Sequence, residues 1–160
     1  ADHLAEVFSE LDPANAADYS ANTKAFHDKM DVSLERWQKE MEPHRGAAVL
    51  PYHRNFAYFA DRFGLKLFGT VEPKPGIPPS PRYINELAEA MKKSGVKVVL
   101  YQPYYNADAS NQLARRTGGV AVEVATEVGG TPGTDDVFSK FDVMVSSLAR
   151  ALSGKSGTAR

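Results

Sequence analysis

Cysteine is absent from the 160 residues, which removes thiolate nucleophiles, cysteine-type zinc sites and disulfides together. The absence leaves the compartment open, since cytosolic and periplasmic proteins can both do without cysteine. An excess of charge of one sign is also missing. The net charge is −1 and the basic residues gather into no stripe, which argues against nucleic acid as a partner. No apolar run approaches the ~20 residues of a membrane-spanning helix, and the opening ADHLAEVF carries no signal-peptide pattern. That opening also lacks a capping pattern and reads as the middle of a helix, as if taken from a longer chain. No internal repeat is present. What remains is ordinary: 42% apolar residues suffice for one domain core with a helical extension.

Helical periodicity comes first. Leu4, Val7, Phe8 and Leu11 share one face over residues 1–11. Asp12-Pro13 then offers an N-cap with proline at the first helical position. Tyr19, Phe26, Met30, Leu34, Trp37 and Met41 recur mostly every three or four residues, predicting one helix over 12–42 that spans roughly 45 Å. Pro43 and Gly46 end it. Beyond them strand and helix alternate. Strands are expected over 48–50, 65–71, 96–101 and 120–124, and helices over 56–63, 80–94, 107–116 and 138–152. Gly64 and Gly95 stand where helix C-termini want a left-handed residue, and Ser80-Pro81 supplies an N-cap and first position. The expected fold class is therefore α/β, a four-stranded parallel sheet flanked by helices and joined by right-handed crossovers, with a long helix in front. The tail 153–160 reads as loose.

In a parallel sheet the loops after the strands collect along one edge, where ligands bind. His53 follows the first strand, and Asp135 and Asp136 follow the fourth at the start of the last helix. An imidazole nitrogen with a carboxylate oxygen suits zinc or manganese. Each has a plainer reading: His53 as a histidine hydrogen-bonded near a helix start, Asp135 and Asp136 as carboxylates that cap the helix and meet its dipole. Glu72, Gln102, Tyr104 and Tyr105 end strands on the same edge and are expected to hold the loops. His3, His27 and His44 read as solvated. Gly154-Lys155-Ser156 lacks the upstream glycine of a phosphate loop, because Ala149 stands there. The run Gly129-Gly130-Thr131-Pro132-Gly133 lacks the dinucleotide pattern. No serine occupies a Gly-x-Ser-x-Gly elbow.

The runs YHRNFAYFADRFGL, GTVEPKPGIPPSP, QPYYN and EVGGTPGTDDVFSKFD together resemble the second lobe of the cluster A-I metal-binding solute-binding proteins of zinc and manganese ABC transporters, some of which are called adhesins. The resemblance covers nearly the whole chain. It implies a remnant of first-lobe helix at 1–11, a connector helix at 12–43 and a C-terminal α/β lobe at 44–152. It implies that His53 and Asp135, with Asp136 as the neighbouring alternative, supply half of an inter-lobe metal site, histidine at the first position favouring zinc over manganese. The implied partners are a divalent metal ion, an ABC permease and the missing N-terminal lobe, in a periplasmic or membrane-anchored extracytoplasmic setting. The implied activity is capture without turnover, so not an enzyme. The sequence-level rivals are an α/β interaction module with no metal, and a hydrolase with an open metal site at His53. Apolar residues such as Leu4 and Phe8 raise the expectation of self-association.

Overall fold

The computed structural model describes residues 1–74 and 76–154; the expected loose tail therefore lies outside the described residues from 155 onward, as do Lys155 and Ser156. The chain divides into two compact units, Ala1–Gln38 and Lys39–Arg160.

In the first unit, α1 (Asp2–Leu11) buries no residue, and a 3-10 turn, Pro13–Asn15, leads into α2 (Ala16–Met41). Asp12 does not cap a backbone N–H with its side chain. Its Oδ2 instead accepts from Asn15 Nδ2 at 2.7 Å and from the Tyr19 hydroxyl at 2.9 Å. That pairing displaces the first α-helical turn to Ala16, so the long helix is 26 residues and roughly 39 Å. Phe8 packs on Tyr19 with ring centroids 5.6 Å apart, and His27 Nε2 meets Asp2 Oδ1 at 3.0 Å. Leu4, Phe8, Leu11 and Phe26 stay exposed.

In the second unit, the last residues of α2 pass through a 3-10 turn at Glu42–His44 to β1 (Ala48–Pro51), α3 (Ala57–Phe63), β2 (Lys66–Leu67), α4 (Pro81–Ser94), β3 (Val98–Tyr101), α5 (Asp108–Thr117), β4 (Val120–Glu123) and α6 (Val137–Leu152). The strands form one sheet in the order β2-β1-β3-β4, and every neighbouring pair is parallel. Local chemistry accounts for the junctions. Gly64 takes φ 67° as the left-handed end of α3, where a Cβ would press on the Arg45 side chain at 2.9 Å. The Ser80 side chain accepts from Tyr83 N–H at 3.2 Å at the start of α4.

The two central strands, β1 and β3, are buried on both faces, as in parallel sheets generally. Leu50 and Val99 join Ile84, Leu87, Ala88 and Met91 of α4 and Leu113 of α5 in one buried cluster. α3 and α6 are joined to each other by Phe59 and Phe141, stacked at 6.4 Å. The expected strand over 65–71 is much shorter than its apolar pattern implies. Gly69 turns with φ 73° and breaks the ladder, yet the chain returns to it, because Val71 N–H donates to Pro51 O at 3.0 Å and Glu72 N–H to Tyr52 O at 3.1 Å.

Candidate metal site

The strand order places a topological switch point between β1 and β3: from β1 the chain goes outward to β2, and then returns to β1's other side. The crevice beyond the carboxyl ends of two such strands is the standard ligand position in open α/β sheets. Tyr52 extends the ladder one residue past β1, donating its N–H to Leu100 O at 2.7 Å while its carbonyl accepts from Glu72. It is thus held from both neighbouring strands, and His53 is the next residue.

The imidazole of His53 is enclosed by aromatic rings. Tyr52 and Tyr105 stack at 4.9 Å with an interplanar angle of 6°, and His53 meets them at 4.9 Å and 4.4 Å respectively. His53 Nδ1 stands 2.7 Å from Glu72 Oε2, with the two side chains 21% and 9% exposed. His53 Nε2 is buried and has no hydrogen-bond partner. The Nδ1 approach is close but not directed as a hydrogen bond, since Glu72 Oε2 is itself buried without such a partner. The other carboxylate oxygen, Oε1, accepts from Gly76 N–H at 3.2 Å. The side chain beside His53 belongs to Glu72 and not to the start of α3, whose N-cap is Phe56 with no side chain capping that end.

Burial pushes the phenols of Tyr52 and Tyr105 above their ordinary range, and the Glu72 charge adds to the effect in both. A buried carboxylate needs a partner, and here it has the imidazole edge on one side and one backbone N–H on the other. Gln102, fully buried, donates from Nε2 to Asn55 Oδ1 at 3.2 Å, tying the end of β3 to the segment after His53. Holding this loop is the part expected of Gln102. Tyr104, at the rim, reaches Thr126 Oγ1 with its hydroxyl at 3.1 Å.

On the other side of the crevice the two aspartates part company. Asp136 is the N-cap of α6 in a capping box, its Oδ1 accepting from Ser139 N–H at 2.7 Å. Asp135 is exposed. The turn before it is firmly closed: Thr134 is fully buried, donating to Thr131 O at 2.6 Å and sending its carbonyl to Gly129 N–H at 2.6 Å. β4 lies two strands from β1, about 10 Å across the sheet. Among the described residues no three His, Cys, Asp or Glu side chains gather into a group able to hold a metal ion, so Asp135 does not stand with His53 and Glu72. The structure brings together His53 and Glu72, a residue given only a loop-holding part by sequence. The available signal was its position: Glu72 follows the apolar run 65–71 and rejoins the ladder beside Tyr52, the residue before His53.

His3 and His27 are exposed on the helical unit, paired with Glu6 and Asp2. His44 lies near Ser153 Oγ at 3.5 Å.

Comparison with known proteins adds the family. Residues 1–153 match the family model described as "Zinc-uptake complex component A periplasmic". The high-affinity zinc uptake system protein ZnuA of Brucella abortus is 29% identical over 102 residues, covering 64% of this chain and 30% of that protein. Among solved structures, a laminin-binding protein of Streptococcus agalactiae, titled a bifunctional protein with adhesin and metal transporting activity, is 25% identical with a TM-score of 0.68, covering 90% of this chain and 57% of that one. A crystal structure of ZnuA superposes with a TM-score of 0.77 at 23% identity, covering 93% and 55%. The chain thus spans less than two thirds of the length of each of these relatives.

Proposed function

The chain belongs to the zinc-uptake complex component A family, and from that premise we propose that it supplies half of a metal site for extracytoplasmic capture of a divalent transition metal. The metal is cargo, zinc in preference to manganese, delivered to an ABC permease. His53 gives the nitrogen ligand, Asp135 a carboxylate, and a first lobe of the kind found in the family the remaining donors. The observation that carries this reading is His53 Nε2: a buried ring nitrogen without a partner, at the switch point of the sheet. Leaving such an atom unpaired costs about 1–3 kcal/mol, and a cation removes that cost. Neutral imidazole is also a ligand type that zinc accepts readily.

Capture without turnover requires that protein donors close the coordination shell, leaving no position for an attacking water. Two donors from one chain leave the shell open, so the lone chain binds zinc weakly and the assembled site tightly. The long α2, which runs from the first compact unit into the second, acts as connector.

Calorimetric titration of the chain with zinc, beside His53→Ala, tests the reading. Heat of binding in the parent that disappears in the variant supports it. Identical flat traces favour an interaction module of the same fold with no metal. Exposed Leu4 and Phe8 are assigned to self-association of the chain; light scattering that finds only monomer removes that assignment.

A further inference from the structure

Glu72 occupies a place that neither the sequence motifs nor the family match explains. Its side chain is almost fully enclosed, and it sits 2.7 Å from the ring nitrogen of His53 opposite the free one. We propose that Glu72 is a positioning residue: its carboxylate holds the proton of His53 on Nδ1, which leaves the lone pair of the buried, unpartnered Nε2 as the metal donor. The inference rests on the reading of His53 as a ligand, and it adds what makes this histidine one.

Three observations carry it. First, Glu72 is fixed before its side chain acts. Its N–H is bonded to Tyr52 O, its carbonyl accepts from Thr70 Oγ1 at 2.7 Å, and Tyr83 OH donates to Thr70 O at 2.8 Å. Its second carboxylate oxygen accepts from Gly76 N–H. The carboxylate is therefore held by the backbone just past β1 and by its own loop, through Thr70 and Gly76.

Second, distance separates an orienting carboxylate from a ligand. Two donors on one tetrahedral zinc, each ~2.0–2.1 Å from the ion, lie roughly 3.3 Å apart. Nδ1 and Oε2 at 2.7 Å are too close for that, and they are at the separation of a charge-assisted N–H···O bond. Nδ1 is the ring nitrogen that stands beside Oε2, so a proton placed there meets the carboxylate charge, and one placed on Nε2 does not. Third, the ring is confined: Tyr52 and Tyr105 pack on it, so a flip that exchanged the nitrogens would have to displace aromatic contacts. Metal-bound histidines ordinarily give their other N–H to such a carboxylate, which fixes the tautomer and raises the basicity of the donor nitrogen.

The test reads the tautomer directly, without metal. In the chain labelled with nitrogen-15 at histidine, long-range nitrogen–proton correlation under alkaline conditions, where imidazole is neutral, is expected to show His53 protonated on Nδ1. Glu72→Ala is expected to lose that preference, and Glu72→Gln, which keeps an acceptor oxygen of similar reach, to restore most of it. Zinc affinity is expected to fall about 10- to 100-fold in Glu72→Ala and less in Glu72→Gln. An Nε2–H tautomer in the parent, or a tautomer unmoved in Glu72→Ala, overturns the inference. So does a cobalt-loaded parent whose ligand-field bands lose one donor in Glu72→Ala, because Glu72 would then be a ligand. If the tautomer moves as expected while His53→Ala binds zinc like the parent, the orienting contact stands and the metal role of His53 fails. Circular dichroism of Glu72→Gln guards against a variant that does not fold.

Discussion

The two sides of the crevice are built by opposite means. The β1 side is assembled inward: Tyr52 is bonded to strands on both flanks, His53 is set among rings, and a buried carboxylate faces it. The β4 side is assembled outward: Thr134 anchors the turn, Asp136 is spent on the helix cap, and Asp135 is left in solvent. A donor that is preorganised and desolvated binds without losing further freedom, whereas an exposed carboxylate must first shed water and be brought to the ion. In the proposed site the β1 side is thus expected to carry more of the affinity than the β4 side. The largest expected effect follows. His53→Ala should reduce zinc affinity at least 100-fold, about 2.7 kcal/mol, and abolish any rise in melting temperature on adding zinc, as read by calorimetry and a thermal melt. Retention of that rise in the variant would reverse the ranking of the two sides.

Asp135→Asn comes next, with an expected loss of about tenfold, or ~1.4 kcal/mol, and no change in thermal stability of the metal-free chain. A loss as large as that of His53→Ala would mean that segment 124–136 closes on the metal and is as much a part of the site as β1. Its neighbour separates cap from ligand. Asp136→Ala removes the acceptor for Ser139 N–H and should cost about 1 kcal/mol of stability, measured by urea unfolding, while zinc affinity stays within error of the parent. Affinity that falls with Asp136→Ala and not with Asp135→Asn would exchange the two aspartates.

How far this asymmetry could be read in advance depends on the kind of signal. The β1 side is legible because the apolar run 48–50, the stripe from Phe56 to Phe63 and the terminal Gly64 each point the same way, so His53 falls at a strand end by simple counting. The parallel sheet is legible for the same reason, as alternating periods of two and 3.6 leave little choice of layer architecture. The second strand was less so. Its run LKLFGTV has the composition of one long strand, but Gly69 at positive φ interrupts it, and composition does not reveal which glycines use that freedom. Glu72 was hidden by pairing: which residue of one strand faces which of its neighbour is a matter of register, and register is a tertiary property. The assignment of metal to these residues rests on the likeness of the motifs to a family, and periodicity alone leaves His53 undecided between a histidine hydrogen-bonded near a helix start and a ligand.

The smallest effect concerns the support behind Glu72. Tyr83, on α4, donates its hydroxyl to Thr70 O, and burial holds its phenol above the ordinary tyrosine range. In the unfolded chain the group titrates near 10. A pKa raised by folding means that this residue contributes no pH dependence below about 10. Above it the unfolded chain ionises first while the folded one keeps its proton, so stability is lost as the pH rises from there through the folded value. Tyr83→Phe should therefore do two things. It should cost about 0.5 kcal/mol at neutral pH, the low end for one hydrogen bond, and it should flatten the alkaline limb of the stability curve measured by urea unfolding. Asp135→Asn, on the solvated side, should leave that limb as steep as in the parent. If Tyr83→Phe also weakens zinc binding, the hydroxyl on Thr70 is reaching the metal through Glu72 and His53, and the inward-built side is a continuous support from α4 to the imidazole. If affinity is unchanged, the ladder bonds of Val71 and Glu72 to β1 hold the carboxylate by themselves.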